Sequence, residues 1–209
     1  MNNTLKVSKY LLNDFKKALA IFYGIIFGVV ILLIALYLNI VSKAGGDVYM
    51  GGFGFSVYIF MFVSGLNCFK ANFKFLQANN ITRKRFYFAN IITLLSVSAF
   101  MALIDTVMTR GIKLLMPYES TLEQLYKNNI FLDNFIWSFA LFVSAASLGW
   151  FITMLYYRCD NLMKTVISFV PVLLGISLFM INNLTKGAMG IATTKFLTVA
   201  LGFNNNNPY

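Results

Sequence analysis

The chain has 209 residues, of which 59% are hydrophobic and 11% charged, with 22 Phe, no His and a formal net charge of +10. So few charges cannot wet the surface of a soluble domain of this size, and the balance points to a membrane protein. The absence of histidine excludes zinc-protease sites and His-dependent acid/base catalysis.

In chain order, residues 1–17 predict an amphipathic interfacial helix. Leu5, Leu11, Leu12, Phe15 and Leu19 fall on one face, and Lys6, Lys9, Asn13, Lys16 and Lys17 on the other. Apolar runs then predict spanning helices over 18–42, 52–69, 86–107, 134–157 and 165–183. Each is close to the roughly 20 residues that a helix needs to cross the hydrocarbon.

Between the second and third spans, "FKANFKFLQANN" places Phe69, Phe73 and Leu76 on one helical stripe and Lys70, Lys74 and Gln77 on another. This is a short cytoplasmic helix, too charged to span, and Asn79-Asn80 is a natural break after it. Thr82 is placed to cap the third span, whose first turn holds Arg83, Lys84 and Arg85. Residues 187–202, with Lys195 near the middle, predict a short outer surface or re-entrant helix rather than a sixth crossing. The expected fold is all-α, a polytopic helical bundle in a single transmembrane domain over 1–209.

Bases set the expected orientation. With the N-terminus inside, Lys6, Lys9, Lys16, Lys17, Lys70, Lys74, Arg83, Lys84, Arg85, Arg158 and Lys164 face the cytoplasm, eleven in all against six on the other side. Cys68 and Cys159 both fall at predicted cytoplasmic helix ends, where thiols stay reduced.

Chemistry-bearing positions are few. Asp105 is the one acid inside a predicted span and the candidate intramembrane polar site, open both to a structural role and to contact with substrate or ion. Arg110, five residues on, is a candidate partner. Gly24 and Gly28 form a GxxxG in the first span, and Ser144, Ala145, Ser147 and Gly149 a small-residue patch in the fourth; such faces suit close packing within the chain or a dimer seam. The two cysteines have no metal-ligand neighbours, so no metal site is expected. There is no GxxxxGK[ST] loop, so ATP hydrolysis by that route belongs to another chain if it is used.

The cations at 83–85 leave two readings open. A helix N-terminus disfavours cations, and either anionic lipid phosphates or an acidic protein partner would offset that cost. The N-terminal amphipathic helix, the helix between spans two and three, and the turn "NNITRKRF" together resemble the permease subunit of a bacterial type-2 family ABC exporter. In that family the stretch after span two reads as a short helix and then a turn of the form G-[IV]-[ST]-R-[KR]-[KR]-[FL]. Ile81 to Phe86 match it, with Asn80 at the glycine position.

The resemblance implies a non-catalytic subunit that pairs with a second permease, identical or homologous, and with cytoplasmic ABC ATPase subunits that carry ATP and Mg. It implies that Lys70, Phe73, Lys74, Leu76, Gln77, Asn80, Arg83, Lys84 and Arg85 form the surface coupled to the ATPase. The cargo it implies is hydrophobic or amphipathic, a toxin or antimicrobial peptide or a lipid-like molecule, exported across a bacterial cell membrane. It also implies a sixth span, so that Gly202 and the Asn run at 204–207 read as a cap and a turn leading into it. The alternatives are a non-transporting scaffold or receptor with basic cytoplasmic loops, and an ion-coupled carrier.

Overall fold

Helix α1, Asn3–Leu36, runs straight through Lys16 and Lys17 and ends in a turn of π-helix at Tyr37–Val41. Ala18, Leu19 and Ala20 are strong or tolerant helix formers, and no Gly, Pro or capping residue separates them from Lys17. The predicted interfacial helix is therefore the first half of one rod about 50 Å long, not a separate element. The bundle covers part of its apolar face: Leu11 and Phe15 are buried along with Val7, Leu12 and Leu19 are half-buried and Leu5 is exposed, and Ser8 Oγ meets Thr93 Oγ1 at 3.1 Å. The computed structural model describes residues 3–41, 50–126, 130–185 and 188–200.

The remaining elements are β1 (Met50–Gly51), α2 (Phe53–Asn67), α3 (Lys70–Ala78), α4 (Arg83–Lys113), β2 (Tyr118–Glu119), α5 (Thr121–Tyr126), α6 (Phe131–Arg158), α7 (Asn161–Leu184) and α8 (Ala188–Ala200). The two short strands pair in parallel, Met50 with Tyr118 and Gly51 with Glu119, on the side opposite the basic turn. Among the described residues, five helical stretches are long and apolar enough to cross a membrane: Thr4–Asn39, Phe53–Ala78, Arg83–Lys113, Phe131–Arg158 and Asn161–Leu184. The architecture is that of an all-helical, multi-pass membrane protein. Helix α8, with 13 residues, is about 20 Å long and too short to cross. The expected cap and turn at Gly202 and 204–207 lie outside the described residues.

The tightest packing is between α2 and α6, and two glycines permit it. A Cβ on Gly65 would sit 2.2 Å from the Ala146 carbonyl oxygen, and one on Gly149 2.2 Å from that of Phe62. The backbones touch there, as small residues allow in membranes, and Thr153 donates across the seam to the Leu66 carbonyl at 2.7 Å. Helix α4 packs beside this pair, and Met61, Ala89, Met101, Ala102, Phe142, Ala145 and Ala146 fill the centre.

Gly24 and Gly28, read as a face for close packing or for a dimer seam, take no part in this close crossing. Among the described residues, nothing beyond their own stretch of helix lies within 4 Å of a Cβ built on either. Helix α1 buries Tyr23, Ile26 and Val30 instead, and a turn of 100° per residue puts the glycine pair on the far side of the rod. Helix α7 is the least covered, with Val172, Leu173, Phe179 and Met180 all exposed. Among its ties, the Tyr156 hydroxyl and Ser168 Oγ share a hydrogen bond, and Asn182 Oδ1 accepts from the Gly190 amide at 2.9 Å.

Candidate functional site

The basic turn is built from three joined pieces. Helix α3 turns Phe69, Phe73 and Leu76 inward, where all three are buried. Phe69 and Phe73 stack at 5.0 Å, and each meets Phe86 of α4 and Tyr157 of α6 edge-on, with centroids 5.3 to 5.7 Å apart. Edge-to-face rings add about 0.5–1.5 kcal/mol per pair beyond the area they bury. Phe75 stacks on Tyr10, and Asn72 donates to Asp14 Oδ2 at 3.3 Å, so α3 is pinned to α1 as well.

The end of α3 is a Schellman motif. The Ile81 amide donates to the Leu76 carbonyl and the Asn80 amide to that of Gln77, both at 3.0 Å. Asn80 occupies the left-handed position with φ of 58°. Asparagine tolerates this region better than other residues bearing a Cβ, which is why it can stand where glycine is usual. Ile81 and Leu76 supply the apolar contact that accompanies such caps.

Thr82, extended at φ −67° and ψ 149°, then opens α4, and its Oγ1 accepts from the Arg85 amide at 3.5 Å. Arg83, Lys84 and Arg85 form an exposed first turn held by the buried Phe86. Lys74, Gln77 and Asn80 are exposed on the same joint; the Lys70 side chain lies outside the described ones.

Phe73 and Leu76 thus leave the set of surface residues. Amphipathic spacing announces an apolar face, and this chain covers that face with its own rings. What stays exposed is the polar face of α3 and the cationic turn.

At the opposite end, Asp105 is the centre of a second cluster. Ser138 of α6 donates to its Oδ2 at 2.9 Å, and a Cβ on Gly54 would come within 3.6 Å of its Oδ1. Tyr23, Thr109 and Tyr118 line the same small space. Arg110 lies about 140° around the helix from Asp105, because five residues at 100° each overshoot a full turn. Ser138 was the partner to find, but 33 residues of sequence separate the two, and no short motif links them.

Below this cluster the chain ties itself together with polar contacts. Ser120 and Glu123 form a reciprocal capping box on α5: Glu123 N–H donates to Ser120 Oγ at 3.2 Å, and Ser120 N–H donates to Glu123 Oε2 at 2.9 Å. Glu123 also pairs with Lys113, and Ser120 Oγ donates to Asn134 Oδ1 at 2.8 Å. Tyr118 is buried and stacked on Phe53; burial pushes its phenol above the usual range, and the Asp105 charge adds to the shift.

Cys68 and Cys159 are both free thiols. Among the described residues no group of Cys, Asp and Glu is arranged to hold a metal ion. In comparisons with known proteins, no family model matches the sequence, and no curated protein or solved structure is similar to it.

Proposed function

We propose that this chain is the non-catalytic permease subunit of an ATP-driven exporter, oriented with its base-rich end in the bacterial cytoplasm. It pairs with a second permease and with ATPase subunits that supply ATP and Mg, and it moves a hydrophobic or amphipathic cargo such as a peptide or lipid-like molecule. The observation that carries this reading is the contact of α3 with α4, Phe73 edge-on to Phe86 with ring centroids 5.3 Å apart. A partner that pushes on the polar face of α3 pushes Phe73 against Phe86, and so displaces the whole 31-residue α4.

A simple loop would absorb such a push in its own backbone. Here the Schellman cap and the Thr82 cap take up all four residues between the helices, 79–82, so movement of one is passed to the other. The exposed cations Lys74, Arg83, Lys84 and Arg85 give an acidic partner rim something to recognise.

The test is co-purification of the intact chain from its native membrane in mild detergent, with identification of any P-loop ATPase by mass spectrometry. The expected result is a co-purifying ATPase whose retention falls about tenfold or more in Arg83→Gln/Lys84→Gln/Arg85→Gln. A wild-type chain that brings down no ATPase, or one held equally well by the triple variant, counts against the reading and favours a scaffold whose cations serve lipid.

A further inference from the structure

At the base-rich end, a cavity of about 710 Å³ opens between α2, α3, α6 and the start of α7. Phe62, Leu66 and Ile152 line its apolar part, and Lys74, Lys164 and Tyr157 its polar part. The two cations come from separate elements, α3 and α7, and among the described residues no carboxylate lines the space with them. Lys74 has no side-chain partner among the described residues. Lys164 gives one hydrogen to Asn161 Oδ1 at 3.3 Å, which leaves two.

We infer that this cavity holds one anionic phospholipid, its phosphate between Lys74 and Lys164 and an acyl chain along Phe62, Leu66 and Ile152. Two ammonium groups lining one space call for an anion, and the wall beside them calls for hydrocarbon. A free phosphate satisfies only the first. Basic pockets between spans are where anionic headgroups sit, and Tyr157, with an apolar ring on the Phe69 and Phe73 rings and a polar tip, is a typical interfacial residue. The lipid would also do structural work: it bridges α3 to α7, a helix whose most apolar stretch is not buried anywhere in the chain.

The experiment uses the full chain, purified in detergent and stripped of lipid, titrated with phosphatidylglycerol or phosphatidylcholine and read by native mass spectrometry. One phosphatidylglycerol per chain should bind ahead of phosphatidylcholine. Lys74→Gln/Lys164→Gln should weaken it about 10- to 30-fold, roughly the worth of two interfacial bases. Lys74→Arg/Lys164→Arg should keep it, and so should Lys9→Gln/Lys17→Gln, which removes exposed cations elsewhere on the same end.

Equal binding by the Lys74→Gln/Lys164→Gln variant overturns the proposal, as does equal weakening by the Lys9→Gln/Lys17→Gln control, which would mean diffuse charge attraction. Displacement of the lipid by inorganic phosphate or by glycerophosphoglycerol at the same concentration would mean an anion site without a lipid. No ATPase is present in any arm, so either result leaves the exporter reading where it stood.

Discussion

The two ends of this bundle are held together by opposite chemistry. At the base-rich end, Phe69, Phe73, Phe86 and Tyr157 interlock, and the cations stand outside them. At the other end charges and hydroxyls are used internally: Lys113 with Glu123, Ser120 with Glu123 and Asn134, Ser138 with Asp105. An end fastened by rings leaves its charges exposed. An end fastened by its charges uses Lys113, Glu123 and Asp105 within the chain.

The largest expected effect falls on the ring-fastened end. Phe73→Ala and Leu76→Ala each remove a buried side chain, and large-to-small core changes of this kind cost about 2–5 kcal/mol. Thermal unfolding of the purified variants in detergent should show a large drop in Tm for each. Stability close to wild type would mean that the rings do not hold this end, and that the apolar stripe of α3 is covered by something else.

The charge-fastened end should give way in smaller steps. Ser120→Ala removes a helix cap and the Asn134 partner together, at about 1–2 kcal/mol. Glu123→Gln should cost less, because the amide oxygen still accepts from Ser120 N–H while the pairing with Lys113 is lost. If both variants unfold at the wild-type temperature, the polar clamps are ornamental and the contrast between the ends fails.

A smaller effect should appear only at alkaline pH. Tyr118 has its phenol raised by burial and by the Asp105 charge, so its neutral form is the one the fold favours. That contribution is complete below the ordinary phenol value of 10.0 and is lost as pH rises from there toward the raised folded value. Tyr118→Phe should therefore lose less stability than wild type between neutral and strongly alkaline pH. Parallel stability curves for the two proteins would remove Tyr118 from the clamp.

These ends were unequally legible in the sequence. Hydropathy announces the five long helices, and Thr82 followed by three cations announces a helix start, because both signals are local. The Asn79-Asn80 break is legible too, since only a few residue types accept φ near 58°. What covers a stripe is not local. The face containing Phe73 and the face containing Leu11 read equally well as lipid-facing, partner-facing or core, and the choice depends on Phe86, Tyr157 and Thr93 arriving from elsewhere in the chain.

Glycine shows the same limit. Gly24 and Gly28 carry the familiar spacing and meet no other helix among the described residues, whereas Gly65 and Gly149, 84 residues apart, make the closest crossing. Small residues permit close approach but do not select a partner for it. The capping box from Ser120 to Glu123 was within reach of sequence reasoning, as Ser-x-x-Glu; the bonds from Ser120 to Asn134 and from Ser138 to Asp105 were not.

The smallest expected change in stability is also the one of opposite sign. Arg83, Lys84 and Arg85 sit in the first turn of α4 with no acidic residue beside them in that turn, where the helix dipole disfavours positive charge by roughly 0.3–1 kcal/mol at an exposed site. Their side chains are exposed, so replacing them with Gln removes no packing. Arg83→Gln/Lys84→Gln/Arg85→Gln should therefore leave the isolated chain as stable as wild type or slightly more so in detergent. The same variant should be worse in a membrane containing anionic lipid or beside an acidic partner. A residue cluster that only held the fold together would show the reverse, with lower stability in detergent and no special loss in the membrane. The measurement is a pair of Tm values for each protein, one in neutral detergent and one after reconstitution with phosphatidylglycerol. A lower detergent Tm for the triple variant would mean that this end, too, spends its charges inside.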